Sequence, residues 1–285
     1  MRAISLEGMY DLHVHPAPSM QKRTSTALEA IRTASAENMA GLLFKDHVYN
    51  TISMASTINE LGYTAKAFGG VMLNEAIGGL SPTAVEAALA MGTKLIEFPT
   101  YSSKAHWDAY GDDQKLFPYR KSIKPIYVLD EAGRLIPAME EIMRLVKEAG
   151  AVVGSGHMSA EEASVVAKRA KEIRCKVVMV GVSTDMPGYP VAAQEEWAGE
   201  HVFMEHCYGA ITDMPHTPTP IETVVEQIRA VGAERCIIST DAGSMKLPQQ
   251  VDAMKDFVGR LLDAGITDRE MDLMTRRNPA LLVGD

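Results

Sequence analysis

Eight short runs rich in β-branched and aliphatic residues recur along the 285-residue chain, alternating with longer stretches whose apolar residues fall three and four apart. The runs are MYDLHVH (9–15), AGLLFK (40–45), KAFGGVML (66–73), TKLIEF (93–98), AVVGSGH (151–157), KVVMVGV (176–182), HVFMEH (201–206) and CIIST (236–240). A strand–helix unit about every 35 residues is the period of a parallel barrel, and it exceeds the usual need of an open doubly wound sheet. The expected fold class is therefore α/β, a (β/α)8 TIM barrel forming one domain over residues 1–285. No GxGxxG or GxxxxGK[ST] follows any run, which weakens a nucleotide-binding sheet as the competitor.

Helix boundaries carry their own chemistry. Ser159 precedes Glu161 and Glu162 as an N-cap with an acidic first turn, while Gly150 and Gly232 are placed to end helices. Residues 100–137, after the fourth run, are too long for a simple connection. Within them IYVLDEAGRLIP reads as a β-hairpin around Glu-Ala-Gly. A loop of this size at the end of a barrel strand is expected to act as a lid or substrate wall.

Composition narrows the partners. With 28 Lys plus Arg against 37 Asp plus Glu, the formal net charge is -9, which argues against a general grip on nucleic acid or anionic lipid. The opening residues hold no apolar leader, and no apolar run approaches the roughly 18 residues of a membrane span. Three scattered cysteines suit neither a disulfide framework nor a CxxC metal knuckle, so a reducing cytoplasm is the expected setting. A small-molecule substrate is the expected partner, and assembly as a homo-oligomer is left open.

The eight histidines are distributed unevenly. His13 and His15 stand two apart at the end of the first run, so both rings can turn to one face and converge on one ion. His157 closes the fifth run, His206 closes the seventh, and Asp241 follows the eighth. In a barrel the carboxyl ends of the strands form a single ring where catalytic groups meet. His13, His15, His157, His206 and Asp241 are accordingly the expected metal set, with Zn2+ favoured by the imidazoles and Mn2+ or Fe2+ also compatible. Lys45 and His47 share a face at the end of the second run and are expected in the active site. The lysine has three readings: it binds a substrate carboxylate, takes up CO2 as a ligand, or pairs with Asp46 or Glu97. His106 in the long loop, His216 in DMPHTPTP, and Asn74 beside a glycine-rich third run are expected to touch substrate. Cys207 reads as a small buried hydrophobe, and His201, at the start of a strand, as scaffold.

On DLHVH, GSGHMS, STDAG and the closing RRNPALLVG the chain resembles the amidohydrolase superfamily of metal-dependent hydrolases. More narrowly, LLFKDH, FGGVMLNEAIGGLSPTAVEAAL, EFPT, GHMSAEEA and MEHCY are similar to an uncharacterised group of small amidohydrolase-like proteins. The resemblance implies a (β/α)8 barrel with His13, His15 and His157 on metal, and with Asp241 both binding metal and shuttling protons. The superfamily's second late histidine lies on the sixth strand, where VGVSTDMP offers only Ser183, Thr184 and Asp185. Its bridging position, a carboxylated lysine or glutamate, corresponds to Glu97 or, less directly, Lys45. One ion rather than two is therefore slightly favoured.

The expected activity is hydrolysis of an amide, lactone, cyclic imide or related ester-like bond by metal-activated water. Asp241 would move the proton, and Lys45, His47 and His106 would orient the substrate or stabilise its oxyanion. A metal-dependent decarboxylase or other lyase on the same barrel is the alternative, and a barrel that binds a small ligand without turnover is the second.

Overall fold

A computed structural model describes residues 3–111, 124–212 and 217–285. All eight predicted runs are strands: β1 (Tyr10–Val14), β2 (Gly41–Phe44), β3 (Lys66–Met72), β4 (Leu95–Glu97), β5 (Val152–Gly154), β6 (Val177–Met179), β7 (Val202–Cys207) and β8 (Cys236–Ser239). They pair in parallel in sequence order. A parallel bridge from Val14 to Ala242 brings the end of β8 back to β1. The chain is a (β/α)8 barrel.

Strands covered on both faces need apolar residues on both, which is why the runs read as continuous hydrophobic stretches. Along each strand the two faces nevertheless divide. Leu12, Leu43, Leu95, Val152, Val178, Phe203 and Ile237 fill the interior, and Leu282 and Val283 of the last helix join them at the base. Val14, Leu42, Phe44, Ile96, Val153, Val177, Met204 and Ile238 face outward into a second core beneath the helices.

The helices between strands carry the predicted signals. Ser159 caps the helix Ala160–Ile173 in a reciprocal capping box with Glu162, and Thr26 does the same with Glu29 for Ala27–Ala36. After β4 the chain forms a short helix, Lys104–Tyr110, capped by Ser103. Leu129 and Leu135 then pair antiparallel around a turn in which Asp130 accepts hydrogen bonds from Ala132 N and Arg134 N. No described helix is long and apolar enough to cross a membrane.

One irregularity positions the site. Between Asp11 and Val14, β1 advances three residues while β2 advances two, from Leu42 to Phe44. The extra residue is a bulge. Simple alternation from the inward Leu12 would turn His13 out to the helices. With the bulge, Val14 faces outward and both His13 and His15 face the interior mouth.

Candidate metal centre

His13 Nε2 and His15 Nε2 lie 3.1 Å apart, and Asp241 Oδ1 stands 3.3 Å from the first and 3.2 Å from the second. The other nitrogen of each ring is engaged. His15 Nδ1 lies 3.0 Å from the carbonyl oxygen of Lys45, which can only accept, so Nδ1 carries the proton and Nε2 a lone pair. His13 Nδ1 lies 3.0 Å from Glu205 Oε2. Burial alone would raise the Glu205 carboxyl, but the Lys45 ammonium and His13 outweigh it and hold it down to about 2, so Glu205 is an ionised acceptor.

With both rings neutral, two imidazole lone pairs and a carboxylate oxygen face one point. Against burial, Glu205 and Asp241 push the His13 pKa up, so either a proton on Nε2 or a metal ion relieves the repulsion there. Ligand atoms about 2.1 Å from an ion are about 3.0 to 3.4 Å apart in octahedral or tetrahedral coordination, and all three separations fall in that interval. His13, His15 and Asp241 therefore fit a divalent metal. Each histidine is oriented by a hydrogen bond on its far side, as metal-binding imidazoles usually are.

A second cluster, His13, Glu205 and Cys207, is also compact. It fits a metal poorly. Burial, Glu205 and Asp241 push the Cys207 thiol well up, so it stays protonated, and the oxygen of Glu205 facing His13 is taken by Nδ1.

Asp241 has φ of 56°, a left-handed backbone that Asp tolerates better than most residues. This turns Oδ1 onto the two histidines. Oδ2 faces Gly209, where an added Cβ would lie 3.3 Å away. Gly209 leaves room for that carboxylate.

Above this group opens a cavity of about 800 Å3 walled by His47, Tyr101, His106, Tyr110, His157 and Arg23, among others. His47 stacks on His15, with centroids 4.8 Å apart and planes at 20°. Burial, His15 and Arg23 hold it well below the usual histidine range, so it is neutral. Its Nδ1 lies 2.9 Å from Thr100 Oγ, which accepts from Asn74 Nδ2 and has its own proton to give. When the Thr100 hydroxyl donates to Nδ1, His47 keeps Nε2–H as a donor.

Residues 8–205 match a family described as "Family of unknown function (DUF6282)". The chain belongs to this family. Among curated proteins none matches significantly. The DUF6282 barrel is similar to solved structures across the amidohydrolase superfamily. An amidohydrolase from Pseudomonas aeruginosa is 10% identical, with 98% of this chain and 96% of that chain covered and a TM-score of 0.64. A 2,6-dihydroxybenzoate decarboxylase from Rhizobium is 14% identical over 98% and 99%, TM-score 0.56. A resiniferatoxin-binding protein from Rhodobacter sphaeroides is 13% identical over 98% and 91%, TM-score 0.60.

The DUF6282 protein brings together His13, His15 and Asp241 but not the whole predicted ligand set. His157 faces the same cavity, with Nδ1 3.0 Å from Nδ1 of His106, outside the group of three. His206 is turned away. On β7 the inward residues are Phe203, Glu205 and Cys207, so His206 points to the helix layer. There its Nδ1 lies 2.7 Å from Ser183 Oγ, which donates to Gln227 Oε1. Burial holds its pKa down to about 3, the mark of a neutral core histidine.

Three other expectations are corrected or sharpened. Lys45 Nζ forms a buried ion pair with Glu97 Oε2 at 2.8 Å, one layer below the histidines, rather than reaching the cavity. Burial would lower it, but Glu97 and Glu205 push its pKa up to about 12, which favours the ammonium ion paired with Glu97. Gly154 on β5 makes room for this pair, since a Cβ there would come within 2.9 Å of Glu97 Cγ. Asn74 is a clamp rather than a substrate ligand. Its Nδ2 donates to His47 O and Thr100 Oγ, and its Oδ1 accepts from Thr100 N and Ser102 N. His106 is buried on the cavity wall as expected, and His216 lies outside the described residues. Glu205 and Arg23 went unforeseen; the signal for Glu205 was an acid inside an otherwise apolar strand.

Proposed function

We propose that this protein is a metal-dependent enzyme that hydrolyses an amide, lactone, cyclic imide or related ester-like bond of a small molecule. The observation that carries the reading is the triangle of His13 Nε2, His15 Nε2 and Asp241 Oδ1, with both rings keyed by acceptors at Nδ1. When bound, a divalent metal, best Zn2+, lowers the pKa of water towards about 7 and polarises a carbonyl.

The chain's own residues divide the remaining work. Asp241, partly exposed at the cavity floor, keeps Oδ2 clear of the two histidines and is placed to take a proton from attacking water and return it to the leaving group. His47 Nε2–H is a neutral donor for a developing oxyanion. Tyr101, His106 and Tyr110 supply an aromatic wall that seats the substrate and keeps bulk water from its reacting end.

Purified protein should carry about one equivalent of Zn2+ per chain and lose it in His13→Ala. Less than about a tenth of an equivalent after growth in metal-supplemented medium would remove the reading and leave a ligand-binding barrel. Decarboxylation is the second reading, favoured by the outward His206 and the histidine-free end of β6, which leave His13, His15 and Asp241 as the ligand set that fits a metal. Reaction in 18O-water separates the two, because only hydrolysis must place solvent oxygen in the product.

A further inference from the structure

We propose that Arg23 anchors a substrate carboxylate, so that the site acts on small organic acids; this rests on the reading of the cavity as a substrate site. Arg23 lies in the loop after β1. That loop is stitched to the loop after β8 by an antiparallel bridge to Ser244 and by Thr24 N donating to Gly243 O at 3.1 Å. The guanidinium is thereby fixed in the cavity wall beside the metal group.

Its side chain is only 5% exposed, yet Nε and Nη2 have no hydrogen-bond partner among the described residues. Asp46 Oδ2 stands 3.9 Å from Nη2, beyond hydrogen-bond distance, and likewise has no donor. The contrast with Lys45 and Glu97, closed at 2.8 Å, is direct. Nε and Nη2 form the side-on edge with which arginine grips a carboxylate; Arg134 turns the same edge to Asp130 at 3.1 and 2.9 Å. Both nitrogens are covered by protein and Asp46 faces Nη2 only at 3.9 Å, so this buried guanidinium on the cavity wall is short of a hydrogen-bonded anion.

The charge around it agrees. Of the carboxylates on the cavity wall, Glu97 is paired with Lys45 and Asp241 faces the two metal-site histidines. Lys22 and Lys246 flank the mouth on the same two loops as Arg23. On a chain with a net charge of -9, Lys22 and Lys246 add positive charge to this wall beyond the loose Arg23–Asp46 pair. The aromatic rings of the same cavity wall, Tyr101 and Tyr110, suit a flat carbon body.

Calorimetric titration with benzoate and benzamide, shape-matched but differing in charge, tests the proposal. Chelator-treated protein keeps the metal from binding the carboxylate itself. Wild type should bind benzoate at least about tenfold more tightly than benzamide. Arg23→Gln should erase that preference, and Arg23→Lys, which keeps the charge without the fork, should retain only part of it. Circular dichroism checks that each variant folds. If Arg23→Gln does not fold, Arg23→Lys alone decides: an undiminished preference overturns the proposal. Absence of a carboxylate preference in wild type, or its survival in Arg23→Gln, also overturns it. Zn2+ titration of the same chelator-treated protein separates the two readings. A wild type that prefers benzoate but binds no zinc sinks the metal reading alone; one that binds zinc without the preference sinks only the Arg23 site.

Discussion

His13 Nδ1 meets Glu205 Oε2 at 3.0 Å inside the barrel, so the ring that offers Nε2 at the mouth is held from below by a carboxylate on the opposite side of the chain's sequence. The same carboxylate helps to keep Lys45 charged. Glu205 thus couples the orientation of a metal ligand to the ion pair beneath it.

Glu205→Gln should weaken zinc affinity about 10- to 100-fold, because the imidazole loses the anion that fixes its tautomer. It should also alter acid stability. The carboxyl sits at about 2 in the folded chain and near about 4.3 when unfolded. The unfolded state therefore binds more protons between those values, and stability falls as pH drops through that window. Urea unfolding from pH 6 to 3 should show a steep acid limb in wild type and a shallower one in the variant.

Asp241→Asn keeps an oxygen for the metal but removes the proton acceptor. Zinc should remain bound with reduced affinity, while turnover of whichever substrate is found falls at least about a hundredfold. Near-normal turnover would exclude Asp241 from proton transfer.

Gly209→Ala tests the same carboxylate from the other side. A Cβ at Gly209 meets Asp241 Oδ2 at 3.3 Å. A contact this short crowds the carboxylate without burying any new polar group. Turnover and zinc affinity should drop severalfold, with unfolding free energy changed by under about 1 kcal/mol. Equal losses of stability and activity would point to general disruption instead.

The fold was legible because each strand needs apolar residues on both faces and each helix an apolar stripe, and both signals are local. The first and eighth runs also put His13, His15 and Asp241 at one end of the barrel, where the three side chains come together. What failed was parity. A slip of one residue on β7 exchanges His206 for Glu205, and an apolar strand with a short polar end does not declare which residue faces in. The bulge in β1 was equally hidden, although His13 reaches the mouth only because of it. Arg23 lies eight residues past His15 in a loop, where no periodicity reports direction. Asn74 looked like a ligand-facing polar group because sequence does not reveal that both ends of its amide are already bonded.

Asn74→Ala should therefore act on stability. It removes four hydrogen bonds and strands the buried N–H groups of Thr100 and Ser102. The expected cost is about 2–4 kcal/mol in urea unfolding. A raised KM with unchanged stability would restore the substrate-binding role.

Lys45 offers the sharpest test of what lies under the metal group. If it is a structural ammonium, Lys45→Met leaves Glu97 buried without its partner and should destabilise the protein by about 3–5 kcal/mol. Adding Glu97→Gln should recover more than half of that, because the uncompensated charge disappears with its partner. A carbamate ligand predicts something else: carboxylation requires an unprotonated amine and an external supply of CO2. With the ammonium pushed up to about 12 by Glu97 and Glu205 against the effect of burial, that form is disfavoured at any physiological pH. Zinc titrations with and without added bicarbonate should therefore coincide, and a bicarbonate-dependent gain in affinity would reassign Lys45 as a ligand.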